Sequence, residues 1–219
     1  MNKPFVFTYT NINTYLICAH QMYRRYVKKD IAFKSTPEKE FGNEVHTAFE
    51  YRLGGRPLPV HMQQWEPFAA ALDGLNPRAE VKLGITVEGR PTGFFDKDVW
   101  LRGKVDVIAV AGSTCFLPDW KTGKPREEPL ELAVNAMLVH AHNPHLQKFT
   151  GAYVWLKENR MGVAHDVSQT NATWARVNQT IGEIKESMAT GDWPKRKSPL
   201  CSWCDVGDCE WNSNSKLAR

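Results

Sequence analysis

The chain has 219 residues, of which 42% are hydrophobic and 24% charged, so it can bury the core of one domain and is not a disordered tail. No stretch approaches the roughly 18 apolar residues of a membrane span, and residues 1–5 lack the apolar region of a signal peptide. We therefore expect one soluble, intracellular domain over residues 1–219. A formal net charge of +4 permits a polyanionic partner without requiring one.

The first predicted element is a helix at about residues 10–30, where apolar side chains recur with the helical period after Thr10 or Asn11. Its far end is basic and carries interleaved tyrosines. This pattern suits a phosphate backbone, although such a charge run is also typical of a solvated helix face. The basic residues are Arg24, Arg25, Lys28 and Lys29.

A second helix is predicted from the capping pair Ser35 and Thr36 to about Leu53. Val45, Phe49 and Leu53 form its apolar stripe, and His46 lies beside that stripe at the border between core and solvent.

Later segments alternate between strands and helices. Residues 79–121 are predicted as strands with turns at 88–89 and 112–113, and the elements that follow are a helix, two strands and a helix at 129–142, 149–156, 163–168 and 171–189. This order indicates an α/β or α+β fold.

The pair Gly112–Ser113 is typical of a two-residue hairpin loop. This loop places Asp106 opposite Asp119 on adjacent strands, with Cβ atoms about 4.5 to 5.5 Å apart, unless a bulge shifts the register. Like charges at such a place are destabilising, and a divalent cation is the natural compensation.

Lys121 follows Asp119 by two residues and therefore projects from the same strand face. Carboxylate oxygens suit Mg²⁺ or Mn²⁺, which activates water, while a lysine can orient that water. His46 would add a nitrogen ligand and favours Mn²⁺. The pattern thus predicts phosphodiester hydrolysis, with Asp106, Asp119 and Lys121 catalytic and His46, Asp106 and Asp119 as metal ligands.

Three of the five cysteines, Cys201, Cys204 and Cys209, lie within nine residues, which points to metal binding in a reducing compartment. A fourth ligand could be Cys18 or Cys115. We favour Cys18, because Cys115 lies in an apolar run as a small hydrophobic residue. Simple packing, structural zinc and an iron–sulfur cluster all remain compatible with this thiol set.

These motifs resemble those of the PD-(D/E)XK nuclease superfamily, specifically its RecB-like branch. Residues 103–106 resemble the Gly-x-x-Asp motif, and residues 118–124 resemble Asp-x-Lys-Thr-Gly-Lys. Residues 42–46 resemble the Gly-x-x-x-His segment that supplies a metal-binding histidine, and Glu80 lies where the branch often has an acidic residue. The resemblance implies an α/β fold with a restriction-endonuclease-like core, in which helices flank a mixed central β-sheet.

The four cysteines Cys18, Cys201, Cys204 and Cys209 are similar to the split cluster of AddB-type nuclease domains and of CRISPR-associated RecB-like exonucleases. This similarity implies a [4Fe-4S] cluster that joins the N-terminal helix to a C-terminal tail at about 195–211. The chain departs from the family at Glu131 and Asn135, where the family usually has Gln-x3-Tyr to help place DNA.

The resemblance implies a metal-dependent DNA exonuclease or end-processing enzyme in a bacterial cytoplasm, encoded by the bacterium or a phage. Its expected partners are DNA with accessible ends or single strands, and proteins of recombination or CRISPR adaptation. The alternatives are an inactive DNA-binding or adaptor protein on the same scaffold, or a zinc-stabilised enzyme with another substrate. Beyond the four basic residues of the first helix, we expect the DNA backbone to contact Lys124, Lys195, Arg196 and Lys197.

Overall fold

The computed structural model describes residues 4–33 and 35–212. The chain divides into two compact units, and the long helix at Thr170–Thr190 contributes to both. The first unit contains residues 4–7 and 35–174, and the second contains residues 8–33 and 175–212. No helix in the described ranges combines the length and apolar character needed to span a membrane.

Six α-helices are described, with a π-helical turn at Tyr23–Val27 and short 3₁₀ turns between some of them. In chain order the α-helices are α1 (Tyr9–Ile17), α2 (Ala19–Met22), α3 (Pro37–Leu53), α4 (Glu66–Ala70), α5 (Pro129–His142) and α6 (Thr170–Thr190).

The first unit is built on a seven-stranded mixed sheet with the order β2-β1-β3-β4-β5-β6, and β7 also pairs with β5. Only β4 and β5 pair in parallel among the described strands, because α5 connects them as a crossover. The strands are β1 (Arg78–Ile85), β2 (Pro91–Thr92), β3 (Leu101–Ala111), β4 (Thr114–Lys121), β5 (Lys148–Trp155), β6 (Arg160–Met161) and β7 (His165–Asp166). The predicted mixed α/β fold is confirmed.

Helix α3 begins as its sequence predicts: the Thr36 side chain accepts a hydrogen bond from the Lys39 amide, and Pro37 occupies the first turn. Its Phe49 ring stacks on Trp120 of β4, with ring centroids 4.2 Å apart. Because side chains alternate along a strand, Asp119 and Lys121 project from the face opposite Trp120. Helix α5 covers that second face, since a Cβ at Gly151 would lie only 2.9 Å from Leu132.

The hairpin between β3 and β4 has the predicted two-residue turn, with Ala111 opposite Thr114 and Ala109 opposite Phe116. The described ladder between these strands ends there. Pro118 has no amide hydrogen to donate, and the Trp120 amide instead donates to the Asp106 side chain. The strands therefore separate where the predicted catalytic residues begin.

The second unit corrects the prediction of one continuous helix at residues 10–30. Helix α1 ends at Ile17, Cys18 has extended backbone angles, and helix α2 is followed by the π-helical turn. The Thr14 hydroxyl donates to the Thr10 carbonyl, a contact of the kind that often bends helices. The break gives Cys18 a backbone conformation that a residue inside a continuous helix could not adopt.

The remainder of the second unit comes from α6 and the segment that follows it. Tyr23 stacks on Trp193 with ring centroids 5.3 Å apart, and the His20 amide donates to the Pro194 carbonyl. The N-terminal helices and the C-terminal segment thus share one small core.

Candidate active site and metal centre

Three carboxylates occupy corresponding positions on adjacent strands of the first unit. Glu80 of β1 lies between the paired positions Ala79↔Val107 and Val81↔Val105, and is therefore opposite Asp106 of β3. Asp119 of β4 lies on the other side of Asp106, close enough for the Asp106 charge to raise the Asp119 pKa, although the described pairing of β3 with β4 ends at Ala109↔Phe116. Glu80 thus adds a third acid beside the two aspartates, and the direct cross-strand pairing of Asp106 with Asp119 stays a prediction.

Glu80 has a left-handed backbone conformation, with φ of 53° inside a strand. A non-glycine residue in this region costs about 1 to 3 kcal/mol, and such conformations persist where the surrounding structure enforces them. The Lys104 ammonium contacts one Glu80 oxygen, and His46 binds the other at 2.9 Å. The backbone strain and the two ionic contacts make Glu80 a candidate site residue, to which the sequence motifs gave no role.

His46 extends from α3 into this group of acids. Its Nδ1 atom lies 2.9 Å from Glu80 Oε1 and 3.4 Å from Asp106 Oδ1. Within the described residues, His46, Glu80 and Asp106 are the only set of three or more His, Cys, Asp or Glu whose ligand atoms all lie within 4.8 Å. The donor set of one imidazole and two carboxylates fits Mg²⁺ or Mn²⁺.

The His46 ring responds to its acidic neighbours. Burial lowers the pKa of His46, but hydrogen bonds with Asp106 and Glu80 outweigh it and raise the pKa to about 10. Burial raises the pKa of Glu80, but the contacts with His46 and Lys104 outweigh this effect. The pKa of Glu80 therefore lies below its usual value. The two carboxylates thus favour the protonated form of the His46 imidazole.

Asp119 is the most deeply desolvated acid of the site. Burial and the neighbouring Asp106 charge raise the pKa of Asp119 well above its ordinary value, although the Lys121 ammonium opposes them. Asp119 Oδ2 forms an ion pair with Lys121 Nζ at 2.7 Å, but this buried oxygen accepts no hydrogen bond of good geometry within the described structure. Asp119 borders the tight ligand set of His46, Glu80 and Asp106, and its direct ligation of a metal stays a prediction.

Lys121 is held between two acids and an aromatic ring. Its Nζ atom contacts Asp119 and lies 3.1 Å from Glu131 Oε2, and the same Glu131 oxygen accepts the Tyr153 hydroxyl at 2.9 Å. The ammonium also lies 5.1 Å from the Tyr153 ring centroid. Burial lowers the pKa of Lys121, but the charges of Asp119 and Glu131 raise it above the usual value. Lys121 therefore carries a fixed positive charge.

Glu131 and Tyr153 belong to the site, and the sequence motifs did not identify their roles. Glu131 occupies the first turn of α5, which begins after β4 and crosses the sheet to β5. Tyr153 lies opposite Asp119 in the parallel pair of β4 and β5. The signal available in the sequence was the position of Glu131 on the helix that follows the catalytic strand.

In the second unit, the four cysteines line one cavity of about 280 Å³. They are Cys18, Cys201, Cys204 and Cys209. Burial raises the pKa of the Cys204 thiol, and the charges of Asp205 and Cys18 add to this effect. Cys115 is buried in β4, where its pKa is raised to about 11 by burial. The preference for Cys18 over Cys115 thus agrees with the cavity lining.

The basic residues predicted to contact DNA mostly have carboxylate partners within the second unit. Arg24 binds Asp30 and Asp208, Lys28 binds Asp30, Arg25 binds Asp205, and Lys195 binds Glu210. Arg196 donates to the Leu16 carbonyl. Of the predicted set, Lys29, Lys124, Arg196 and Lys197 have no ion pair within the described ranges. DNA contact by any of these residues stays a prediction.

Comparisons with known proteins agree with this geometry. The model of the PD-(D/E)XK nuclease superfamily matches residues 6–209. No curated protein sequence matches the chain. The solved structure of SSO0001 has a TM-score of 0.54 at 15% identity, covering 94% of this chain and 85% of its own. A protein described as a candidate exonuclease from Eubacterium rectale has a TM-score of 0.56 at 12% identity, covering 91% and 87%. Since the family model spans nearly the whole chain, the chain belongs to the PD-(D/E)XK nuclease superfamily.

Proposed function

We propose that this protein is a divalent-metal-dependent deoxyribonuclease that hydrolyses phosphodiester bonds at DNA ends. The observation that carries this proposal is the convergence of Glu80, Asp106 and Asp119 from three adjacent strands beside Lys121. Four carboxylates, including Glu131, face only three basic groups, His46, Lys104 and Lys121. A site with this composition gains stability from a bound cation and attracts one electrostatically.

His46, Glu80 and Asp106 would hold the cation, with Asp119 beside them. When bound, Mg²⁺ or Mn²⁺ supplies Lewis acidity toward the phosphoryl group and lowers the pKa of a nearby water. Asp106 is oriented for this task, because its Oδ2 atom is occupied by the Trp120 amide while Oδ1 faces His46.

Lys121 donates hydrogen bonds and does not remove protons, because its raised pKa keeps the ammonium charged. Its fixed position between Asp119 and Glu131 lets it orient the attacking water and stabilise the negative charge that develops on the phosphate. Glu131 and Tyr153 act through Lys121 and are positioning residues.

End-directed cleavage is supported by the fold shared with the structure described as a candidate exonuclease. The test compares linear and circular single-stranded DNA in Mn²⁺, each with and without EDTA. We expect linear DNA to be degraded from an end and circular DNA to be resistant. Equal degradation of both forms would show endonuclease action, and no degradation of either would reject the proposal.

We further propose that the cysteine cavity of the second unit holds a [4Fe-4S] cluster. Zinc in a tetrahedral site, with Zn–S bonds of about 2.3 Å, would hold the sulfurs about 3.8 Å apart. The four sulfurs include no set of three within 4.8 Å, in the part of the chain that the structure describes. A cavity of about 280 Å³ with this wider spacing supports a polynuclear cluster over a single zinc ion.

Absorbance and metal analysis of anaerobically purified protein test the cluster. We expect a brown protein that absorbs near roughly 400 nm and contains iron and acid-labile sulfide. Cys204→Ser should lose this absorbance, whereas Cys115→Ala, which changes a cysteine outside the cavity, should retain it. A colourless protein with stoichiometric zinc would overturn the assignment.

A second candidate function is DNA binding without turnover. It is favoured by Glu131, whose carboxylate neutralises part of the Lys121 charge and would repel a phosphate. This candidate predicts salt-sensitive DNA binding with no cleavage in Mg²⁺ or Mn²⁺. Metal-dependent release of labelled nucleotides would exclude it.

A further inference from the structure

Two phenylalanines stand on the loop between β2 and β3, beside two basic side chains. Phe95 is 77% exposed, and its ring meets the Phe94 ring edge-on with centroids 4.9 Å apart. The Arg102 guanidinium carbon lies 4.5 Å from the Phe94 centroid and 5.6 Å from that of Phe95, and Lys82 Nζ lies 5.9 Å from Phe95. We call Lys82, Phe94, Phe95 and Arg102 the aromatic platform.

The basic groups of the aromatic platform are available to an anion. Neither Lys82 nor Arg102 has a carboxylate partner within the residues described, and the Arg102 guanidinium donates only to the Phe94 carbonyl at 3.0 Å. The acids of the same loop are engaged in holding its turn, since Asp96 accepts from the Gly93 amide and the Thr92 hydroxyl donates to Asp98. An exposed aromatic ring over unpaired cations is a combination that attracts a nucleotide.

The sheet connects the aromatic platform to the carboxylates. Lys82 pairs with Lys104 across β1 and β3, and the Lys104 ammonium contacts Glu80. Arg102 lies two residues before Lys104, opposite Gly84. Each step of two residues along a strand spans about 7 Å, so Arg102 lies about 13 Å along β3 from Asp106. This separation corresponds to a few nucleotides of a single strand.

We propose that the aromatic platform stacks an unpaired base of single-stranded DNA while Lys82 and Arg102 bind its phosphates. This inference rests on the proposed nuclease function and specifies the substrate of the same site. The bases of a duplex are already stacked on one another. An aromatic ring at a loop tip therefore stacks most favourably with an unpaired base, which is free to rotate onto it. The aromatic platform therefore selects single-stranded DNA and sets its position relative to the acids.

The test measures equilibrium binding of Phe95→Ala to a labelled single-stranded oligonucleotide of about 16 nucleotides and to a hairpin duplex. Ca²⁺ replaces Mn²⁺, and a gel confirms that the DNA stays intact. We expect single-strand affinity to fall roughly five- to 150-fold, the range for losing one base–aromatic stack, with a smaller change for the duplex. Phe95→Trp should restore the affinity.

Tyr51→Ala is the matched control, because Tyr51 is also exposed and has Arg56 over its ring at 4.7 Å, but lies on α3. It should bind DNA like the parent. With Mn²⁺, Phe95→Ala should need more single-stranded DNA for half-maximal cleavage while its rate at saturation stays near that of the parent.

The outcomes separate this inference from the proposed function. If the parent cleaves DNA in Mn²⁺ but Phe95→Ala binds single strands as tightly as Tyr51→Ala, the aromatic platform has no such role and the nuclease function stands. If the parent neither binds nor cleaves DNA, the proposed function fails and the inference fails with it. Equal losses for single-stranded and duplex DNA would also overturn the inference.

Discussion

The side chain of Asp106 accepts a hydrogen bond from the backbone amide of Trp120, at 2.9 Å between Oδ2 and N. This contact replaces the strand pairing that ends near Pro118, and both groups are buried. One carboxylate oxygen thus maintains the junction of β3 and β4, while the other faces His46. Asp106 has a structural role and a chemical role that different substitutions can separate.

Asp106→Asn should keep the Trp120 contact, because the amide oxygen can still accept, but remove the charge from the site. Asp106→Ala removes both. We expect Asp106→Ala to lose about 1 to 3 kcal/mol of unfolding free energy relative to Asp106→Asn, through the unsatisfied Trp120 amide. Urea denaturation measures the difference, and both variants should lack nuclease activity. Equal stability of the two variants would contradict the proposed importance of this hydrogen bond.

Glu131→Gln tests the positioning of Lys121. The amide oxygen can still accept from Tyr153 and Lys121, but one of the three carboxylate charges that raise the Lys121 pKa, those of Asp119, Glu131 and Asp106, is lost. We expect Glu131→Gln to lower the cleavage rate at saturating DNA about tenfold or less. Glu131→Ala should lower that rate further, because no hydrogen-bond acceptor remains. Tyr153→Phe, which removes only the hydroxyl, should match Glu131→Gln. Full activity in Glu131→Ala would show that Lys121 needs no support from this helix.

Metal affinity should increase with pH. The imidazole of His46 must lose its proton to bind a cation, and its pKa of about 10 lies above the usual value near 6.5. In metal-free protein the raised pKa stabilises the fold below about pH 6.5, and this contribution is lost as the pH rises toward 10. Calorimetric titration with Mn²⁺ should show about tenfold tighter binding per pH unit for each proton displaced. His46→Gln should have a shallower dependence, and the same slope in both proteins would exclude His46 as the titrating ligand.

Substitutions of Arg25 and Asp205 can show whether the basic end of the first helical segment is structural or contacts DNA. The Arg25 guanidinium and the Asp205 carboxylate form a salt bridge, with Arg25 Nε 2.8 Å from Asp205 Oδ2. If the pair is structural, Arg25→Gln and Asp205→Asn should each destabilise the protein by about 1 kcal/mol or less and leave DNA affinity near that of the parent. If Arg25 instead contacts DNA, Asp205→Asn would strengthen binding and Arg25→Gln would weaken it. Thermal melts and DNA titrations read out the two effects.

The sequence predicted the hairpin turn and the strand alternation around the candidate site, because both depend on local patterns. The Gly112–Ser113 turn determined the hairpin register, and strand alternation placed Lys121 beside Asp119. Glu80 was not assigned a role, because no periodic pattern predicts its left-handed backbone conformation or its contact with His46 on another element.

The basic N-terminal segment shows what the sequence could not predict. Its charge run suggested a DNA surface, but Asp205 and Asp208, which bind Arg25 and Arg24, lie about 180 residues away in the sequence. Partners so distant are brought together by tertiary folding alone. The break at Cys18 was missed for a similar reason, because the apolar period continues through it although the helix does not.

The central claim is tested most directly by Asp119→Asn in a cleavage assay with end-labelled single-stranded DNA and Mn²⁺. The substitution preserves the size of the side chain and removes the buried charge and the repulsion from Asp106, which together raise the Asp119 pKa, so the protein should fold as well as the parent. We predict that the parent degrades the DNA only when Mn²⁺ or Mg²⁺ is present, and that Asp119→Asn releases no nucleotides above background. Cleavage by Asp119→Asn at the rate of the parent would contradict the account.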